Sequence, residues 1–205
     1  WEPPFEVAAL AASAGGLAAF SEVLSALPAD FPAPVLLLQH LSSRYRSLLP
    51  ELLARVTSLT VVQARDGDEL LPGQAYVAPP GLHLLVRPDR TLALSDSEPV
   101  WFTRPAADCL FKSLAASFGS RTVGVILTGG GCDGAQGIQA IHRAGGTTIA
   151  QSPKSCTAAG MPSAAIETGC VDMVLPLARI GPMFQILFSR KQNSRPGNPR
   201  PAAVF

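Results

Sequence analysis

Glu6-Val7-Ala8-Ala9-Leu10-Ala11-Ala12-Ser13-Ala14-Gly15-Gly16 passes from an unbroken apolar run into a turn of small residues. Beyond it, Leu17, Phe20, Val23, Leu24 and Leu27 recur at helical spacing until Pro28. The pattern predicts a buried strand over residues 5–10, a tight turn, and a helix over 16–26. The same step from strand to loop recurs twice. Residues 35–38 lead into Gln39-His40, and residues 122–127 lead into Thr128-Gly129-Gly130-Gly131-Cys132-Asp133-Gly134. In a parallel α/β sheet the loops beyond the carboxyl ends of the strands share one crevice. A serine, a histidine and an aspartate are thereby expected to meet, the constellation of a hydrolase with a hydroxyl nucleophile.

The rest of the chain supports that architecture. A helix is predicted over 48–56 and a strand over 59–63. Residues 74–78, 82–86 and 92–94 form short strand candidates punctuated by Pro and Gly, and they read as an antiparallel excursion or an edge feature. Helical spacing returns over 106–118. Strands at 122–127, 147–150 and 173–175 then alternate with helices at 135–144, 163–168 and 180–188. The fold class expected is α/β: three layers, α/β/α, around a doubly wound, mostly parallel sheet. Residues 1–189 are expected to be one domain, and the basic, Pro-, Asn- and Ser-rich residues 190–205 a disordered tail or linker.

Composition narrows the function. Of 205 residues, 47% are hydrophobic and 15% charged, which fits a full core and argues against disorder. A net charge of +1 gives no footprint for nucleic acid. No apolar run reaches the roughly 18 residues of a membrane span, so no membrane insertion is expected. The four cysteines, Cys109, Cys132, Cys156 and Cys170, lack metal-ligand spacing and read as reduced thiols of a cytoplasmic protein. The chain starts at Trp1 rather than Met, which suggests a fragment or a processed chain.

Each candidate residue has a plainer alternative. Ser13 and Asp133 both stand just before predicted helices, where Ser and Asp are favoured N-caps. The Ser13 turn could also cradle a phosphate, although it lacks the Lys-Ser/Thr ending of a P-loop. His40 follows a buried strand, whereas His83 is expected to be structural and His142 to lie on a helix surface. Asp66 competes with Asp133 for the acid on spacing alone, and Asp68 and Asp108 are further candidates. Cys132 has no neighbouring cation to activate it.

Taken in order, the three segments resemble the catalytic domain of the CheB family of chemotaxis protein-glutamate methylesterases. Val7-Ala8-Ala9-Leu10-Ala11-Ala12-Ser13-Ala14-Gly15-Gly16 resembles that family's V-x-A-I-G-A-S-T-G-G. Leu36-Leu37-Leu38-Gln39-His40 resembles its strand ending in Q-H, and residues 127–137 its L-T-G-M-G-x-D-G-A-x-G. The resemblance runs from about Phe5 to about Phe188 and includes Tyr76-Val77-Ala78-Pro79 and Arg104-Pro105-Ala106-Ala107-Asp108. It implies Ser13 as nucleophile, His40 as base, Asp133 as orienter, and Ala14, Gly15, Gly130 and Gly131 as an oxyanion or substrate loop. It implies hydrolysis of glutamyl methyl esters on chemoreceptor cytoplasmic helices to glutamate and methanol, with deamidation of receptor glutamines as a related activity. No metal and no organic cofactor are implied. Ala11, Ala14 and Gly130 depart from the family pattern. They motivate the alternative of a catalytically weak binding or regulatory module. The family commonly carries an N-terminal receiver domain, and about five residues precede the first strand here. A catalytic piece, or a parent protein with a receiver or methyltransferase domain, is therefore expected.

Overall fold

The computed structural model describes residues 5–41 and 47–189. In chain order its elements are β1 (Val7–Ala12), α1 (Gly16–Ser25), β2 (Val35–Gln39), α2 (Leu49–Leu53), β3 (Thr60–Gln63), β4 (Gln74–Val77), β5 (His83–Val86), β6 (Leu92–Ser95), α3 (Ala107–Phe118), β7 (Thr122–Ile126), α4 (Ala135–Arg143), β8 (Thr147–Gln151), α5 (Gly160–Glu167), β9 (Met173–Leu175) and α6 (Leu177–Phe188). Seven strands form one sheet in the order β3-β4-β2-β1-β7-β8-β9, and every pairing in it is parallel. β5 and β6 form a separate antiparallel pair.

β1 lies at the centre because its side chains are small and apolar on both faces. All six of its residues are buried. Ala8, Leu10 and Ala12 pack with Phe20 and Leu24 of α1 and with Ile180, Phe184 and Phe188 of α6. Val7, Ala9 and Ala11 face the other way, into a cluster with Leu110, Phe111 and Leu114 of α3, Ile138 and Ile141 of α4, and Met161 of α5. The period of two along the strand thus divides the core between two helical layers. The chain winds outward from β1 through β2 to β4 and β3, then returns to β7 on the other side of β1. That reversal opens a crevice beyond the carboxyl ends of β1 and β7.

Three expectations change. Residues 74–78 were grouped with the antiparallel excursion, but β4 lies inside the main sheet, parallel to both β2 and β3. A short apolar run flanked by Pro and Gly carries no record of its pairing partner; burial of Ala75, Tyr76 and Val77 on both faces is what an interior parallel strand requires. α5 starts at Gly160 rather than 163. Pro162 falls in its first turn, where a missing N–H costs no helical hydrogen bond. α6 likewise starts at Leu177 rather than 180. The expected tail, 190–205, lies outside the described residues.

α3 and α4 meet at Gly137. A Cβ there would lie 2.5 Å from the Phe111 Cβ and 3.1 Å from its ring Cδ2. A β-carbon cannot rotate away, so the helices would have to separate. Gly137→Ala is expected to destabilise the fold by about 1–3 kcal/mol. Calorimetry should record this as a melting temperature lower by several degrees.

Candidate active site

Ser13 stands one residue beyond β1, and His40 one beyond β2. The Ser13 N–H donates to the Thr128 carbonyl at 2.9 Å, and the His40 N–H to the Ala12 carbonyl at 3.1 Å. The first bond lies past the last registered pair of β1 with β7, Ala11 with Ile126, and the second past that of β1 with β2, Ala12 with Gln39. Ser13 and His40 are therefore the next facing positions on neighbouring strands, whose spacing is about 4.8 Å. Alternation along β1 and β2 turns both side chains toward the layer of α3, α4 and α5.

Asp133 reaches the same place from the loop after β7. Its Oδ2 accepts hydrogen bonds from His40 Nε2 at 2.7 Å and from the Ala107 N–H at 2.6 Å, and its Oδ1 accepts from the Asp108 N–H at 3.0 Å. Ala107 and Asp108 open α3, so the buried carboxylate sits at the positive end of that helix and receives its unpaired amides. Asp108, also buried, returns the bond. Its Oδ1 accepts the N–H of Gly137 in the first turn of α4 at 2.7 Å, and its Oδ2 accepts Trp101 Nε1 at 2.8 Å. Each helix start is thus satisfied by the aspartate of the other. The plain capping alternatives do not hold: the cap positions of α1 and α4 are Gly15 and Gly134, without side-chain cap bonds. Because Asp133 takes the Nε2–H of His40, Nδ1 is the ring nitrogen left to accept a proton.

The other candidates lie elsewhere. Asp66 is exposed and binds the Leu94 N–H and Arg87, which lower its pKa at the hairpin of β5 and β6. Asp68 accepts the Arg65 N–H. His83 is buried, with Nδ1 accepting the Ala106 N–H and Nε2 donating to the Glu98 carbonyl. His142 lies on the surface of α4, 3.4 Å from Asp172.

Within the glycine run, Gly129 is the residue pressed against the serine. A Cβ at Gly129 would lie 2.9 Å from the Ser13 Cβ and would also strike Met161 Sδ. Gly130 and Gly131 are exposed, and a Cβ on either would have nothing within 4 Å. Ala14 and Gly15 are exposed in the turn that opens α1.

Sequence reasoning also passed over the residues that fix the loops. Gln39 Nε2 donates to the Ser13 carbonyl at 2.5 Å. Thr128 Oγ1 donates to the Ala14 carbonyl at 2.9 Å, accepts the Ala158 N–H at 3.0 Å, and the Thr128 N–H donates to Gln151 Oε1 at 2.9 Å. One signal was available: Gln39 and Gln151 are polar residues ending apolar strands, and buried amides need partners.

Residues 8–184 match the CheB methylesterase family. The chain is 37% identical over 180 residues to a putative protein-glutamate methylesterase/protein-glutamine glutaminase of Leptospira interrogans, covering 88% of this chain and 93% of that protein. The chain belongs to the CheB methylesterase family. It is also 44% identical over 179 residues to the protein-glutamate methylesterase FrzG of Myxococcus xanthus, of which it spans 54%. The CheB methylesterase catalytic domain of Thermotoga maritima superimposes with a TM-score of 0.86 at 34% identity, covering 89% of this chain and 98% of that one. The CheB fold thus accounts for the parallel sheet and its small antiparallel pair.

Two outcomes follow from the CheB-type site. Gly129→Ala is expected to displace Ser13 and slow its labelling by a fluorophosphonate at least tenfold, read by mass spectrometry. Among the thiols, burial pushes the pKa of Cys109 up, with the Asp133 charge adding to it, and burial does the same for Cys156. A raised pKa leaves less thiolate at neutral pH. Iodoacetamide at pH 7 should therefore alkylate exposed Cys132 before either, and peptide mapping reads the order.

Proposed function

We propose that this chain is a serine hydrolase that converts glutamyl methyl esters on the cytoplasmic helices of chemoreceptors to glutamate and methanol. The observation that carries the reading is the His40–Asp133 bond, 2.7 Å long, at the strand end next to Ser13. Relatives named as protein-glutamate methylesterases point to the same chemistry, and those also named protein-glutamine glutaminases extend it to deamidation of receptor glutamines.

The geometry suits a two-step acyl transfer. Ser13 Oγ attacks the ester carbonyl while His40 Nδ1 takes its proton. Asp133 holds Nε2–H and faces the imidazolium that forms. The negative oxygen of the tetrahedral intermediate is directed toward the turn of Ala14 and Gly15 at the positive end of α1, where the Gly16 N–H is already held by the Ser13 carbonyl. Collapse expels methanol, with the proton returned from His40. Water then attacks the acyl-serine by the same route and frees the glutamate. For a glutamine the leaving group is ammonia. The buried amides of α3 that fix Asp133 also hold its carboxylate against the His40 ring.

Ser13→Ala should reduce methanol release from methylated receptor to background without changing the melting temperature. Asp133→Asn should lower kcat by roughly 10³–10⁴-fold, because an amide there no longer selects the required tautomer. Equal release by wild type and Ser13→Ala, measured by gas chromatography, would end the proposal.

A further inference from the structure

The segment leading into α3 carries a hairpin tip that the hydrolytic reading does not use. Val100 and Thr103 exchange two backbone hydrogen bonds, at 3.1 and 3.0 Å, so Trp101 and Phe102 are the central pair of a minimal turn. Both adopt left-handed backbone angles, φ 52° and φ 60°. Turns of this kind ordinarily carry Asn or Gly, because larger side chains disfavour positive φ. Here two of the bulkiest residues occupy it. Such strain persists only where surrounding structure fixes it, and it concentrates at clamps and binding sites.

The fixing contacts are specific. Trp101 Nε1 donates to Asp108 Oδ2 at 2.8 Å, and Asp108 is the buried aspartate that holds the start of α4. Thr103 Oγ1 donates to the Pro105 carbonyl at 2.8 Å. The turn is therefore anchored to the same pair of helix starts that holds Asp133. Phe102, by contrast, is 104% exposed. It lines a cavity of about 480 Å³ together with His40, Leu41, Thr103 and Arg104. Leu41, 37% exposed, adds a second apolar point beside the imidazole. A bare aromatic ring at the mouth of a hydrolytic site contributes nothing to the free protein. It is stabilised only when a large substrate removes it from water.

We infer that Phe102 is a docking finger for the protein substrate, packing on an apolar side chain of a substrate helix about one turn from the esterified glutamate. This rests on the reading of the chain as a protein-glutamate methylesterase. A helix suits a two-point contact, because residues three and four apart share one face. One such residue can reach toward His40 while its neighbour meets the ring. Charge fits as well: Arg104, on the same cavity wall and braced by Nη1 bonds to the Asp96 and Ser97 carbonyls, makes that wall cationic and complementary to the glutamate that hydrolysis creates. Trp101 acts as the positioning residue that ties the finger to the site.

The test uses a fluorescein-labelled, methyl-esterified helical fragment of a bacterial chemoreceptor and the Ser13→Ala protein, which leaves the ester intact. Anisotropy gives Kd. Adding Phe102→Ala should weaken binding about tenfold, and Phe102→Leu should restore it to within about threefold of the parent. The melting temperature, read in parallel, should stay constant because the ring is wholly exposed. A Kd unchanged by Phe102→Ala, or no binding of the fragment by the parent, overturns the inference. Methanol release by the serine-intact protein is read separately. Phe102-dependent binding without methanol release defeats the catalytic reading and supports docking. Release with Phe102-independent binding defeats docking alone.

Discussion

The exchange of aspartates between the starts of α3 and α4 is the constraint on which the site depends. Two buried carboxylates in one small region are costly unless each is fully paired. Here Asp133 receives two amides of α3 and the His40 ring, and Asp108 receives an amide of α4 and the Trp101 indole. The helix dipoles add to the same balance, since each carboxylate faces a positive helix end. The arrangement is reciprocal, so neither helix can shift along the other without leaving a buried donor or acceptor unsatisfied. Gly137 permits the close approach that makes the exchange possible.

From that fixed point the site is assembled by the sheet. β1 and β2 are parallel and in register up to Ala12 and Gln39, which makes Ser13 and His40 neighbours with no special loop geometry. β7 brings Thr128 and Gly129 against the serine turn, and β8 supplies Gln151 to hold Thr128. Four strands thus contribute to one crevice, β1, β2 and β7 through residues past their last pairings and β8 through its terminal residue, Gln151. The rigidity belongs to the sheet, and the chemistry to the loop ends, as expected where α/β sheets bind ligands. The Trp101–Phe102 turn extends the same principle outward: its anchor is an aspartate of the scaffold, and its Phe102 ring is exposed.

Much of this was legible in the sequence because it is local. Apolar runs followed by small or polar residues marked β1, β2 and β7, and helical spacing marked α1, α3 and α4, with boundaries shifted by only a few residues. The motif resemblance pointed to Ser13, His40 and Asp133 together, and the structure joins the last two by a hydrogen bond. What was not legible were contacts between distant positions. The Trp101–Phe102 turn carries no Gly or Asn to announce it, because its conformation is imposed by Asp108 rather than by its own preferences. In the run of three glycines, the resemblance singled out Gly130 and Gly131, whereas the packing of Met161 and Ser13 singles out Gly129.

The chain's own order of residues therefore determined the α/β rhythm, the three polar side chains at strand ends, and the small residues that let β1 sit in the middle. Those features follow from periodicity and turn chemistry, which act over a few residues. The tertiary structure decided that β4 joins the parallel sheet and that Asp133 serves the start of α3 rather than its own helix. It also set Asp133 against Nε2 of His40. The Asp133 outcomes depend on hydrogen bonds between groups 26 and 93 residues apart, and that of β4 on pairing with β2 and β3. Bonds of that reach form only once hydrophobic burial has brought the layers together, so no local pattern can encode them.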